Sequence, residues 1–135
     1  MELDAYLHFD GNCEEALEFY ARIFGGKIDQ ISRFDAAPDE FNIPSNMKSR
    51  VMHARFVSPT LRFMASDSVH GMSPSGSRVT LALATRDMHD AERVFEELAQ
   101  GGKIIHPFSD MFWNAKFGQV CDKFGIDWMV NCEKV

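Results

Sequence analysis

The sequence predicts an α+β protein in which one β-α-β-β-β module is built twice. Three observations carry that prediction. First, Gly11 to Ile28 (GNCEEALEFYARIFGGKI) and Arg86 to Ile104 (RDMHDAERVFEELAQGGKI) read as copies of one another, and internal similarity at a fixed spacing means one supersecondary unit repeated. Second, each copy holds an amphipathic helix with a start signal and a Gly-Gly stop. Third, the segments flanking each helix alternate apolar and polar residues with period two, as half-buried strands do.

The elements follow in chain order. Leu3, Ala5, Leu7 and Phe9 share one face of a first strand, which turns Tyr6 and His8 the other way. Asn12 is placed to cap the first helix, with Glu15 three residues on to complete a capping box and Glu14 near the positive dipole end. Ala16, Leu17, Tyr20, Ile23 and Phe24 form its apolar stripe, and Gly25-Gly26 ends it. Asp35 to Met47, with Pro38 and Pro44, interrupts the strand pattern. In Val51 to Val57, Met52, Ala54 and Phe56 are expected inside, leaving His53 and Arg55 opposite. Leu61, Phe63 and Ala65 alternate with Arg62, Met64 and Ser66, and Asp67 reads as a turn residue.

Ser66 to Ser77 is rich in Ser, Gly and Pro and links the modules, so that module one covers about 1–67, the linker 68–77 and module two 78–135 of one domain. In the second copy Val79, Leu81 and Leu83 oppose Thr80, Ala82 and Ala84. Asp87 caps a helix whose stripe is Met88, Ala91, Val94, Phe95 and Leu98, closed by Gly101-Gly102. Ser109 to Lys116 reads as a loop carrying Trp113, Asp122 begins a turn, and Trp128 with Val130 alternates with Met129 and Asn131.

Composition excludes several classes of function. A net charge of −6, with Lys and Arg scattered along the chain, disfavours nucleic acid as a partner. No apolar run approaches the roughly 20 residues that cross a bilayer, and MELDAYLHFD is acidic where a signal peptide is basic, so a cytoplasmic protein is expected. The three cysteines, Cys13, Cys121 and Cys132, lack C-x-x-C spacing and fit a reducing compartment. G-x-S-x-G, G-x-G-x-x-G and P-loop motifs are absent.

Three segments carry a family resemblance: the opening YLHFDGNCEEALEFY, the central MHARF followed by FMASD, and the ending FWNAKFGQVCDKFGIDWMVN with its two Trp and two Phe-Gly pairs. In this order they resemble the PhnB-like branch of the vicinal oxygen chelate superfamily, which holds glyoxalases, extradiol dioxygenases, fosfomycin-resistance enzymes and bleomycin-binding proteins. The resemblance covers nearly the whole chain. It implies a curled, mixed eight-stranded glyoxalase-like sheet around a cleft between the modules, commonly completed by dimerisation. Metal-dependent members place His, Gln or Glu at cleft-facing strand positions, which map here to Tyr6 (or Ala5), Met64, Thr80 and Met129. A catalytic divalent ion needs about three imidazole or carboxylate donors, and thioethers are too soft for most of them. The expectation is therefore no metal and no cofactor. Some relatives carry a methyltransferase label from ubiquinone synthesis, but no nucleotide or S-adenosylmethionine cradle is recognisable.

Three readings stay open. The first is a cytoplasmic homodimer whose metal-free cleft binds a small organic molecule, lined by Tyr6, His8, His53, Arg55, Met64, Thr80, Trp113, Met129 and Asn131, with Arg62 nearby. The second is a lyase, isomerase or transferase using His53 or His8 as acid or base, with Arg55 holding an anionic group beside His53 and an ion donated in an unusual way. The third is a structural or regulatory dimer. His70, His89 and His106 are expected to be solvated, in linker, helix-start and strand-end positions. Trp113 is expected to cover the cleft or to meet a second subunit, and Trp128 to lie in the core.

Overall fold

A computed structural model describes residues 3–69 and 79–134. It forms two compact units that divide at Pro74–Ser75, inside the expected linker; His70 and most of that linker lie outside the described residues. The first unit runs β1 (Tyr6–Phe9), α1 (Cys13–Phe24), β2 (Lys27–Arg33), β3 (Val51–Val57) and β4 (Arg62–Asp67). Three single-turn 3-10 helices, Phe34–Ala36, Asp39–Phe41 and Ser45–Met47, fill the Pro-containing interruption. The second unit runs β5 (Leu81–Thr85), α2 (Met88–Ala99), β6 (Lys103–Met111), β7 (Ala115–Cys121) and β8 (Asp127–Glu133). Each unit contains one four-stranded mixed sheet, ordered β1-β4-β3-β2 and β5-β8-β7-β6. In each, the strand before the helix pairs in parallel with the last strand and the other neighbours are antiparallel. Among the described residues no helix is long and apolar enough to cross a membrane.

The repeated Gly-Gly has the same physical cause in both units. Gly25 and Gly101 take left-handed backbone at φ +67° and +72°, which costs other residues strain. The second glycine passes so near the next strand that a Cβ would lie 2.6 Å from the Val57 carbonyl at Gly26 and 2.3 Å from the Cys121 carbonyl at Gly102. Both helices bury most of the expected stripe, Ala16, Leu17, Tyr20 and Ile23 in α1 and Ala91, Val94, Phe95 and Leu98 in α2, while Phe24 and Met88 at the helix ends are only half-buried. Beneath α1, Phe56 and Phe63 stack at 4.7 Å. Beneath α2, Phe95 stacks on Phe108 at 5.3 Å and lies over Gly118, where a Cβ would be 2.5 Å from the Phe95 ring.

Several local expectations are corrected. Leu3 is 98% exposed and Val79 69%, because β1 begins at Tyr6 and β5 at Leu81. Val51 is buried and Met52 only half-buried: Ser32 pairs with His53 but Arg33 with Val51, so Met52 is an extra, bulged residue that reverses the alternation. Asn12 makes no side-chain cap on α1. Its place is taken by Asp67 at the end of β4, whose Oδ1 accepts the Gly11 and Cys13 amides and whose Oδ2 accepts the Val51 amide, all at 2.9 Å. Asp67, expected as a turn residue, is 4% exposed and ties β4 to the start of α1 and to β3. Asp87 does cap α2, accepting the Asp90 amide.

Ser109 to Lys116 is not a loop. Asp110 pairs with Lys116 and Met111 with Ala115, leaving a three-residue hairpin, Phe112 to Asn114, with Asn114 at φ +59°. One left-handed residue closing a three-residue connection suits the twist of antiparallel strands. Asp122 fills its expected turn role, accepting the Phe124 and Ile126 amides on Oδ1, and its Oδ2 also accepts the indole N–H of the buried Trp128.

Candidate functional site

In the first unit α1 covers one sheet face, and the opposite face carries Tyr6 and His8 from β1, Arg62 and Met64 from β4, and His53 and Arg55 from β3. Met64 stands between Tyr6 and Arg55 in register. The Tyr6 hydroxyl is 3.1 Å from His53 Nδ1, and the Tyr6 ring stacks on His8 with centroids 5.0 Å apart. Tyr6 thereby joins two histidines that are distant in sequence. Arg55 is engaged elsewhere: its Nε donates to Asp29 Oδ2 at 2.9 Å and a terminal nitrogen donates to the same oxygen. That hydrogen bond, then the guanidinium charge, holds the Asp29 carboxyl below its usual range. Arg62 Nε donates to Asp4 at 3.1 Å.

In the second unit the face opposite α2 carries two rows in register. Ala82, Met129, Gln119 and His106 form one, and Ala84, Asn131, Phe117 and Ser109 the other. Trp113, from the hairpin, donates its indole N–H to Asn131 Oδ1 at 3.1 Å and meets Phe117 edge-on at 5.8 Å. His106 lies within β6 and not at a strand end; its Nδ1 is 2.8 Å from the Pro107 carbonyl and its ring is 5.7 Å from Phe117. A cavity of about 260 Å³ beside this face is lined by Ala84, Thr85, Arg86, Asn131 and Glu133. Phe117 and Gln119 are not singled out by the sequence, and His106 is expected there only as a solvated strand-end residue. The alternation of Phe117 and Gln119 with Gly118 and Val120 was the available signal, obscured by reading their neighbours as loop.

The residues at the positions that the resemblance maps to metal ligands do not fit a metal. Tyr6 pairs with Met64 and, by the same geometry, Ala82 pairs with Met129, while Thr80 precedes β5. A phenol, two thioethers and a methyl or hydroxyl supply no imidazole or carboxylate. Among the described residues no group of three or more His, Cys, Asp or Glu is disposed to hold an ion. The thiols are poor ligands too. Burial, followed by the charges of Asp67 and Glu14, pushes Cys13 up to about 12, and burial with a hydrogen bond to Asp127 raises Cys121.

Comparison with known proteins agrees with this fold. A family model described as 3-demethylubiquinone-9 3-methyltransferase matches residues 2–131. Protein YjdN of Escherichia coli K12 is 34% identical over 142 residues, covering 99% of this chain and 97% of that protein. The crystal structure of PA1353 from Pseudomonas aeruginosa has a TM-score of 0.83 at 35% identity, covering 99% of this chain and 100% of its own. A Bacillus cereus structure described as a putative 3-demethylubiquinone-9 3-methyltransferase, PhnB protein, has a TM-score of 0.81 at 28% identity, covering all of both chains. At 16% identity, a glyoxylase/bleomycin resistance protein/dioxygenase domain from Frankia shares the fold, with a TM-score of 0.69 and coverage of 98% of this chain and 97% of its own. The chain belongs to the PhnB-like 3-demethylubiquinone-9 3-methyltransferase family and shares its fold with a glyoxylase/bleomycin resistance protein/dioxygenase domain.

Proposed function

We propose that this protein is a cytoplasmic homodimer that binds a small organic molecule on the sheet faces opposite its helices, without the superfamily's usual metal centre. The observation that carries the reading is the pairing of Tyr6 with Met64 and of Ala82 with Met129. Where a metal enzyme needs hard donors, this chain supplies polarisable thioethers and aromatic groups, which suit organic ligands.

Methyl transfer, the activity in the family's name, is not part of the proposal. The helix N-terminus that an α/β cofactor site offers to anions is taken in α1 by the Asp67 carboxylate and capped in α2 by Asp87. Acid–base catalysis by His53 or His8 is the weaker reading, because Arg55, the group that would hold an anion beside His53, is bound to Asp29.

The test is a thermal-shift screen of the full chain against Mn²⁺, Ni²⁺, Zn²⁺ and a metabolite panel, with light scattering for the dimer. A ligand at 100 times its Kd stabilises by about 2.7 kcal/mol, a shift of several degrees. Organic hits without metal hits support the reading. Tight equimolar binding of a metal overturns it.

A further inference from the structure

We propose that the second unit's face opposite α2 seats a flat, neutral π-conjugated ring, with Trp113 as the stacking platform and Gln119 reading a polar edge. The proposal rests on the small-molecule reading above and names its ligand class. Trp113 is 45% exposed at the tip of the β6–β7 hairpin, yet its orientation is fixed. Its one hydrogen-bonding atom is committed to Asn131, and its two ring neighbours meet it at steep angles, Phe112 at 89° and Phe117 at 69°. A large ring is thus held by one hydrogen bond and two edge contacts, with no parallel ring against it among the described residues, so a flat ligand can stack at little further cost in side-chain entropy.

Phe117 and Met129 continue the apolar surface from Asn131 toward Gln119, and a thioether is a favourable neighbour for a ring edge. The Gln119 side chain makes no hydrogen bond among the described residues and offers both a donor and an acceptor. His106 presents its other nitrogen, since Nδ1 is occupied by the Pro107 carbonyl. The polar atoms among these rings belong to amides and an imidazole, and the adjacent Arg86 and Glu133 pair with each other at 3.4 Å. The complement of such a surface is an uncharged ring with a hydrogen-bonding edge, not an anion or a basic peptide.

The experiment titrates the full chain with quinoline-2-carboxamide and with cyclohexanecarboxamide, which keeps the amide and lacks the π face. The readouts are the indole N–H resonance of Trp113 and the methyl resonance of Met129. Quinoline-2-carboxamide is expected to move both and to bind at least tenfold more tightly than the saturated amide. Trp113→Leu should weaken it about tenfold or more, in line with the loss of one stacked ring. Asn131→Ala, which frees the indole without touching the ligand's plane, should weaken it less, and Gln119→Leu should remove the preference for an amide edge. Equal binding of the two probes, unchanged affinity in Trp113→Leu, no shift at either resonance, or a dimer that buries Trp113 and dissociates in Trp113→Leu each overturns the proposal. A probe that moves Tyr6 and His53 but not Trp113 overturns it while leaving the small-molecule reading standing.

Discussion

Asp67 accepts the amide of Cys13 at 2.9 Å across 54 positions of sequence, and so the last strand of the first unit holds the beginning of its helix. The same carboxylate accepts the Gly11 and Val51 amides. Asp67→Ala leaves the buried Cys13 and Val51 amides without this acceptor, each costing about 1–3 kcal/mol when unsatisfied, and opens the exposed Gly11 amide to water. A loss of about 3 kcal/mol or more in urea denaturation is expected, with Asp67→Asn less severe because it keeps one oxygen. A loss under about 1 kcal/mol for Asp67→Ala shows that water replaces the carboxylate and that the clamp is not structural.

The second glycine of each Gly-Gly is predicted to tolerate no side chain. Gly26→Ala and Gly102→Ala place a Cβ within 2.6 Å and 2.3 Å of backbone carbonyls that cannot move independently of their strands. Overpacking of this kind costs about 1–3 kcal/mol, readable as a lowered Tm. Nothing lies within 4 Å of a Cβ at Gly25, so Gly25→Asn, which accepts left-handed backbone, should cost less than either.

Tyr6→Phe removes one hydroxyl from a residue that is 38% exposed, so stability should change by no more than about 0.5 kcal/mol. The change should appear instead at His53, whose Nδ1 loses its partner at 3.1 Å. Imidazole nitrogen NMR checks this through a shift at His53 Nδ1 that exceeds any change at His89. Identical His53 spectra would mean that the hydroxyl and imidazole do not meet in solution.

The thiols should react in the order of their burial. Cys13 and Cys132 are fully buried while Cys121 is partly exposed, so a disulfide reagent at pH 8 should label Cys121 first in the native protein and all three in urea. The same burial makes stability depend on alkaline pH. Cys13 moves from 9.0 to about 12 on folding, so the folded state keeps the proton that the unfolded chain releases. Its contribution is fully present below pH 9 and is lost as pH rises toward 12. Cys13→Ala should flatten that part of the profile.

Much of the fold was legible because its determinants are local. The spacing of Ala91, Val94, Phe95 and Leu98 fits a helix whatever surrounds it, Asp87 caps its own chain, and the duplicated Gly-Gly marks the same turn twice. Tyr6, His8, Met64, Met129 and Asn131 were assigned to the faces opposite the helices from period-two alternation, and those faces are where they lie. The alternation failed at Val51 and Met52, where one bulged residue reverses inside and outside without changing the composition. It failed again at Ser109 to Lys116, where Ser, Asp and Asn imitate a loop while the pairing with β7 continues to Met111.

The sequence by itself determined the module, its duplication, the helices and the residue types at Tyr6, Met64 and Met129. These follow from residue type and short-range spacing. Only the tertiary structure decided which groups are partners: Asp67 in place of Asn12 at the helix start, Asp29 holding Arg55, Tyr6 bridging His8 and His53, and Asn131 orienting Trp113. Each joins residues brought close by strand register or by a bulge. A hydrogen bond depends on a separation of about 3 Å in space, and a pattern along the chain does not encode that separation.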